Sequence, residues 1–263
     1  TTLLDLADTY VDLNKSPHKR REVLSGLTQI NMFFENSTRT RMSFESAMKR
    51  LGGSVLNFSS AGSSVAKGET LYDTMQMVAG YADGVAIRPP RQGAAQYSAD
   101  SIGLPVLNAG DGAGNHPTQT LLDLFAIKET QGRLDNLKVA LVGDLKYGRT
   151  VRSLSQALSL YPGNTLYLVS PPFLPLPESL KSWLRDKGVK IEERASLDDV
   201  MREVDVCYVT RVQKERMTGV DEFLRVEDSY RLTKRHLEGV KSNLKILHPL
   251  PRVKEIAVEG DST

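Results

Sequence analysis

The sequence predicts an α/β protein of two domains, each a parallel sheet flanked by helices, with the active site in the interdomain cleft. Three observations carry that expectation. Short apolar runs alternate with helical patterns of about 10 to 15 residues, the signature of parallel strands joined by crossover helices. The chain has 263 residues, more than one compact core usually holds. The alternation also begins afresh midway, at Leu137-Lys138-Val139-Ala140-Leu141-Val142, a run apolar enough for a strand covered on both faces.

Taken in order, Leu3, Leu4, Leu6, Ala7 and Val11 give residues 1 to 14 an amphipathic helical pattern. The run Ile30-Asn31-Met32-Phe33-Phe34 places a strand at 27 to 34. Phe44, Ala47, Met48 and Leu51 fall at i, i+3, i+4 and i+7, which predicts a helix over 38 to 51 packed by one face and stopped by Gly52-Gly53. A strand at 54 to 59, a Gly/Ser-rich loop at 59 to 68, a helix with Leu71, Met75 and Val78 on one face, and a strand at 83 to 88 follow. Next come a short helix at about 91 to 100, a strand at 105 to 109, a Gly-rich turn, and a long helix at about 117 to 130 ended by Gly132. That helix is the natural join, so the domains are expected over 1–131 and 132–263. The second domain offers further strands at about 165 to 169, 189 to 192, 204 to 209 and 244 to 248, with helices between them.

Composition excludes several classes of function. Lys plus Arg (34) nearly cancels Asp plus Glu (32), so no polybasic footprint points to nucleic acid. No apolar stretch approaches the roughly 18 to 20 residues of a membrane span, and residues 1 to 10 lack the pattern of a signal peptide. Cytoplasm is the expected location. The single cysteine, Cys207, rules out an internal disulfide framework and a multi-cysteine metal site; its apolar surroundings at 204 to 210 predict a buried, inert thiol. The chain opens inside an amphipathic pattern without a start Met and ends on polar residues, the expectation for ends that are cut or unobserved.

The chemistry-bearing residues gather after strands. Ser37-Thr38-Arg39-Thr40-Arg41 puts three hydroxyls and two guanidiniums at a strand-to-helix turn, which reads as an anion cradle or, more blandly, as an ordinary N-cap with solvated arginines. Arg88 closes a strand, where α/β sheets place ligand-binding residues. The loop with Ser63, Ser64, Lys67 and Gly68 adds one ammonium and, by itself, is equally a solvated surface loop. Asn115-His116-Pro117-Thr118-Gln119 opens the long helix, with Pro117 where a first helical turn favours it; either His116 and Gln119 project into the cleft or they cap the helix. Gly143-Asp144-Leu145-Lys146-Tyr147-Gly148-Arg149-Thr150 nearly spells a P-loop, but Arg149 stands where a P-loop needs a compact ammonium, and Arg suits a carboxylate or phosphate arriving from outside. Thr210-Arg211-Val212-Gln213-Lys214-Glu215-Arg216 and His248-Pro249-Leu250-Pro251-Arg252 close two more strands. No GxGxxG follows a strand, no nucleophile stands with a base, and no second His stands at metal-ligand spacing, so neither cofactor nor metal is implied. What remains is a set of donors suited to holding two anionic molecules in line and meeting the charge that develops between them.

In that order, STRTR, KGE, HPTQ, GDLKYGRT, TRVQKER and HPLPR resemble the catalytic chains of the aspartate carbamoyltransferase family, over nearly the whole length. Related ornithine carbamoyltransferases usually carry HCLP where this chain has His248-Pro249-Leu250-Pro251, which favours aspartate as acceptor. The resemblance implies transfer of the carbamoyl group from carbamoyl phosphate to L-aspartate, the pyrimidine-pathway step, without a cofactor. It implies that Ser37, Thr38, Arg39, Thr40 and Arg88 hold the phosphate, and that Thr40, Arg88 and His116 polarise the carbamoyl oxygen. Gln119 and the carbonyls of Pro249 and Leu250 would hold the carbamoyl nitrogen, while Arg149, Arg211 and Gln213 clamp the aspartate carboxylates. Ser63 and Lys67 would reach a neighbouring subunit's site, making the working unit a homotrimer with shared sites; Glu35 would pair with Arg149 and Arg216 on domain closure. Regulatory chains, or fusion to other pathway enzymes, stay open as partners. Departures from the family pattern are Pro89, where the family usually has His, and a further N-terminal helix and longer C-terminal segment that this sequence does not show. Two rival readings stay open: a carbamoyltransferase with another amine acceptor, and a chain that only binds anions or serves in assembly.

Overall fold

The computed structural model describes residues 2–59, 62–213 and 230–257. It divides into two compact units, Thr1–Thr118 and Gln119–Thr263.

The first unit is built on a four-stranded sheet in the order β2-β1-β3-β4, with every pairing parallel. Its strands are β1 (Thr28–Phe33), β2 (Ser54–Ser59), β3 (Gly84–Arg88) and β4 (Val106–Asn108). Alternation along β1 sorts its side chains. Ile30 and Met32 face a buried cluster with Val85 and Ile87 of β3, Met75 and Val78 of α3 (Leu71–Val78) and Ala95 of α4 (Ala94–Ser101). Gln29 and Asn31 take the opposite face and are also buried, joined by a hydrogen bond from Gln29 Nε2 to Asn31 Oδ1 of 2.7 Å. Helix α1 covers Thr2–Lys15 and α2 covers Arg39–Arg50. Of the face predicted for α2, Met48 is buried, Phe44 and Leu51 are half-buried and Ala47 is exposed. The buried stripe is narrower than the spacing implies because α2 packs on β1 and β2 at one edge of the sheet, not over its middle. The stretch predicted as loop at 59 to 68 contains a 3-10 turn, Ser64–Lys67, closed by Gly68 in the left-handed region.

The second unit carries a five-stranded, all-parallel sheet in the order β7-β6-β5-β8-β9. The strands are β5 (Lys138–Val142), β6 (Thr165–Val169), β7 (Lys190–Arg194), β8 (Val206–Val209) and β9 (Lys245–Leu247). Helix α5 (Pro117–Gln131) leads into it, and α6 (Arg149–Leu158) and α7 (Glu178–Asp186) lie between strands. One face of the sheet packs Ala140, Val142, Tyr167, Val169, Cys207 and Val209 against Leu197, Val200, Met201 and Val204. Val139, Leu141, Leu166 and Tyr208 on the other face are buried as well, as are Leu154 and Leu158 of α6 and Leu184 of α7. The sheet is therefore covered on both sides, as continuous apolar runs require. Cys207 is fully buried, and burial pushes its thiol up to about 12, so it is inert at neutral pH.

The two sheets share one topological feature. In the first, the connection from β1 to β2 steps one way and the chain then returns to the other side of β1 with β3. In the second, β5 to β6 to β7 runs one way, and β8 and β9 lie on the other side of β5. Each sheet thus has a switch point, between β1 and β3 and between β5 and β8. Connections leaving adjacent strands in opposite directions open a crevice at their carboxyl ends, where α/β proteins bind ligands.

Candidate active site

In the first unit the switch point gathers four of the predicted residues. Phe33 and Arg88 are register partners, and the N–H of Phe34 donates to the carbonyl of Arg88 at 3.1 Å, so β1 and β3 end level. Their next side chains are thereby brought together. The Arg88 guanidinium donates through Nη1 to Ser37 Oγ at 3.0 Å and to Thr40 Oγ1 at 3.4 Å, and its Nε lies 3.4 Å from Glu35 Oε2. The Arg88 side chain is 13% exposed, so the fork is fixed before any ligand arrives. Thr38 stands at the start of α2 in helical conformation and makes no side-chain capping bond. An N-cap normally sits extended with its hydroxyl on an N–H of the first turn, so the capping alternative is not the one adopted. Thr38 and Arg39 are exposed at this helix end, where the dipole and the first-turn N–H groups favour an anion. Ser63 precedes the 3-10 turn and is half-buried, while Lys67 lies exposed at the end of that turn.

His116 is buried ahead of α5 by a turn that an aspartate locks. Asp111 Oδ1 accepts from the N–H of Asn115 at 2.6 Å and Oδ2 from the N–H of Gly93 at 2.9 Å. Gly112 donates to the Pro89 carbonyl at 3.1 Å, tying the turn to the segment that leaves β3. A Cβ at Gly112 would lie 2.6 Å from the Pro90 carbonyl, so this approach requires glycine. Pro89, the departure from the family pattern, is buried and accepts that bond from Gly112. The Gly-rich turn was legible as a turn; Asp111, which organises it, was not singled out because its partners are backbone groups.

In the second unit an aspartate again ties the two loops of the switch point. Asp144, fully buried after β5, accepts from the N–H of Tyr147 at 2.9 Å through Oδ1 and from the N–H of Gln213 at 3.2 Å through Oδ2. Gln213 returns a bond from Nε2 to the Tyr147 carbonyl at 2.9 Å. Arg149, buried at the first turn of α6, and Arg211, half-buried after β8, flank this junction. Arg211 Nη1 donates to the Val212 carbonyl at 3.4 Å. Gln119, in the first turn of α5, donates from Nε2 to Asp123 Oδ1 at 2.9 Å. After β9, His248 Nδ1 accepts from the N–H of Leu250 at 2.8 Å, and His248 Nε2 lies 2.7 Å from Glu255 Oε1. Burial opposes charge on Glu255, but bonds from His248 and from the N–H groups of Val253 and Lys254 outweigh it and hold the carboxyl down at about 2. Leu250 is held at φ 58°, a region that a side chain other than glycine occupies at a cost of about 1 to 3 kcal/mol and that clusters at ligand sites. The peptide joining Pro249 to Leu250, and with it the Pro249 carbonyl, is thus oriented by His248, which Glu255 holds. Arg216, expected to act in domain closure, lies outside the described residues.

Among the described residues no group of three or more His, Cys, Asp or Glu is placed to hold a metal ion, and no helix is long and apolar enough to cross a membrane. The chemistry available is that of aimed donors: guanidiniums, hydroxyls, one imidazole and helix ends. Each of the two units carries its own set at its own switch point.

Comparison with known proteins also divides the chain in two, but with the boundary near the end of α5 instead of at its start. Residues 1–129 match the model of the aspartate/ornithine carbamoyltransferase carbamoyl-P binding domain, and residues 135–261 match that of the Asp/Orn binding domain. The aspartate carbamoyltransferase catalytic subunit of Methanothrix thermoacetophila is 56% identical over 246 residues, covering 93% of this chain and 80% of its own. That of Archaeoglobus fulgidus is 50% identical over 262 residues, covering 99% of this chain and 86% of its own. Among solved structures, the catalytic subunit of M. jannaschii aspartate transcarbamoylase superimposes with a TM-score of 0.89 at 46% identity, covering 99% of this chain and 85% of that one. Aspartate transcarbamoylase from Trypanosoma cruzi in complex with N-(phosphonacetyl)-L-aspartic acid gives 0.92 at 38% identity, covering 99% and 84%. With both domain models matched in order across nearly its whole length, the chain belongs to the aspartate/ornithine carbamoyltransferase family.

Proposed function

We propose that this chain transfers the carbamoyl group of carbamoyl phosphate to the amine of L-aspartate, giving N-carbamoyl-L-aspartate and phosphate. The observation that carries the reading is the Arg88 guanidinium, held by Ser37 and Thr40 at the switch point of the first sheet beside the open start of α2. That arrangement suits a phosphate: a planar fork, hydroxyls and a helix end converge on it. Ser37, Thr38, Arg39, Thr40 and Arg88 bind the phosphate. Thr40, Arg88 and His116 face the carbamoyl oxygen. Gln119 and the carbonyls of Pro249 and Leu250 take the carbamoyl nitrogen, and Arg149, Arg211 and Gln213 take the aspartate carboxylates. The relatives that are aspartate carbamoyltransferases support aspartate, as does a solved relative, from Trypanosoma cruzi, in complex with carbamoyl phosphate and aspartate.

The reaction then needs little covalent chemistry from the protein. The neutral amine attacks the carbamoyl carbon, negative charge gathers on the carbonyl oxygen, and the bond from carbon to the phosphate oxygen breaks. The amine proton leaves with phosphate. Donors aimed at the developing oxyanion supply the rate, and loss of one typically costs about 100- to 1000-fold. Holding the two substrates in line supplies the rest.

We further propose a homotrimer in which Ser63 and Lys67 serve a neighbouring subunit's site, in the cytoplasm and within the pyrimidine pathway. The exposure of Lys67 and the inert, buried Cys207 support this. The resident domains are proposed as 1–131 and 132–263. The test is ureido-product formation from carbamoyl phosphate with L-aspartate and, in parallel, L-ornithine. Turnover with aspartate alone supports the reading. Turnover with ornithine alone reassigns the acceptor, and a folded protein that turns over neither serves binding or assembly only.

A further inference from the structure

We propose that Asp123 is a positioning residue that decides which end of the Gln119 amide meets the carbamoyl group. The inference rests on the proposed function, in which Gln119 takes the carbamoyl nitrogen. Asp123 lies one turn along α5 from Gln119 and is 5% exposed. Its Oδ1 accepts from Gln119 Nε2 at 2.9 Å, and its Oδ2 accepts from the phenol of Tyr208 at 2.8 Å. Tyr208 comes from the centre of β8, is fully buried, and is itself bonded by the Thr150 side chain of α6. Three elements therefore fix one carboxylate against one amide.

An ionised carboxylate only accepts hydrogen bonds, whereas an amide has a donating end and an accepting end. With Nε2 committed to Asp123, Gln119 presents its carbonyl oxygen in the other direction. A carbamoyl NH2 has two N–H donors and is recognised by such an oxygen; a methyl group in its place is not. Reversing the amide would set its oxygen against a buried carboxylate oxygen, which burial makes costly. Protonation removes that restriction, because a carboxylic acid can donate to Gln119 Oε1. Burial pushes Asp123 up from its ordinary 3.8 to about 6, with the Gln119 and Tyr208 bonds pulling the other way. Among the described residues, the groups bonded to it are Gln119 from its own helix and Tyr208 from β8, with Thr150 of α6 behind the phenol; of these three Tyr208 is titratable.

The experiment compares carbamoyl phosphate with acetyl phosphate, which differs by a methyl group where the carbamoyl NH2 stands. KM for the first and the competitive inhibition constant for the second are measured on the full chain for wild type, Asp123→Asn and Tyr208→Phe. In Asp123→Asn the new side chain can donate as well as accept, so the Gln119 amide loses its fixed direction. The preference for carbamoyl over acetyl phosphate is expected to fall by about 10-fold, the worth of one net hydrogen bond. KM for carbamoyl phosphate rises while acetyl phosphate binding stays put. An unchanged preference in a folded variant overturns the inference, and so does equal loss for both ligands, the mark of a merely structural role. If Asp123→Asn does not fold, Tyr208→Phe decides: the wild-type preference should fade as pH drops through about 6, and loss of the phenol should move that midpoint up, whereas an unmoved midpoint overturns the inference. A wild type without turnover defeats the proposed function itself; a wild type with turnover and preference, alongside an unaffected Asp123→Asn, defeats this inference alone.

Discussion

Arg88 and Arg39 offer the same guanidinium fork in different states of constraint. Arg88 is 13% exposed and held by two hydroxyls and a carboxylate, whereas Arg39 is exposed at the first residue of α2. Removing an exposed side chain leaves stability within about 0.5 kcal/mol, so Arg39→Ala should fold and melt as wild type while losing affinity for the phosphate donor. Unchanged affinity for a phosphonate analogue would remove Arg39 from the site. Asp123 yields a second prediction, of stability against pH. Its folded pKa is raised, from 3.8 to about 6, so the folded chain holds a proton that the unfolded chain has released across that window. The stability this contributes is fully present below 3.8 and is lost as pH rises through about 6, up to about 3 kcal/mol. Asp123→Asn has no such loss, so the advantage of wild type in urea midpoint should shrink between pH 4 and pH 7; a constant difference contradicts it. The arginines, hydroxyls and His116 were legible in the sequence because their chemistry is distinctive at a strand end. Asp111, Asp123 and Asp144 were not, since their partners are backbone N–H groups or side chains such as Tyr208, 85 residues away, that only the fold brings near.

At the scale of elements, the doubly covered strands of the second unit were the easiest to read: β5 and β8 are buried at nearly every position, and an apolar run without alternation reports that directly. The 3-10 turn at Ser64–Lys67 was hidden because Ser64, Val65, Ala66 and Lys67 make a single turn, too short to show a period. The turns that carry the site depend on backbone proximity. Gly143 sits at φ 109°, and a Cβ there would lie 2.3 Å from the Thr210 carbonyl. That contact joins the loop after β5 to the loop after β8, the same junction that Asp144 ties through Gln213. Gly143→Ala must push β8's outgoing loop away and strain its own backbone, so it should destabilise by about 1 to 3 kcal/mol. KM for aspartate should rise more than KM for carbamoyl phosphate, because the displaced residues are Arg211 and Gln213. Equal changes in both constants would show that the junction does not position the acceptor side. Steady-state kinetics with each substrate varied at saturating levels of the other, alongside a thermal melt, separates the two.

At the scale of the whole molecule, the proposed sharing of sites makes a quantitative prediction. Lys67, exposed on its turn, would serve a neighbour, whereas Arg149, buried at the start of α6, would serve its own subunit. A chain with Lys67→Ala keeps Arg149 but gives nothing to its neighbour; a chain with Arg149→Ala does the reverse. Each variant alone should be nearly inactive. In a closed ring of three, a mixed trimer contains one place where an intact Arg149 meets a neighbour's intact Lys67, whichever variant is in the majority. Random reassembly of equal amounts makes about three quarters of the trimers mixed, so about a quarter of wild-type activity should return. Mixing without dissociation should restore nothing, since no new neighbours form. The experiment unfolds the two variants together, refolds them, and assays ureido product per subunit against variants refolded separately. Recovery near a quarter requires both the ring and the crossing of Lys67 between subunits. A mixed refold no more active than its parts, from chains that assemble as trimers, would place Lys67 in its own subunit's site, and the specific activity of wild type would then be independent of dilution.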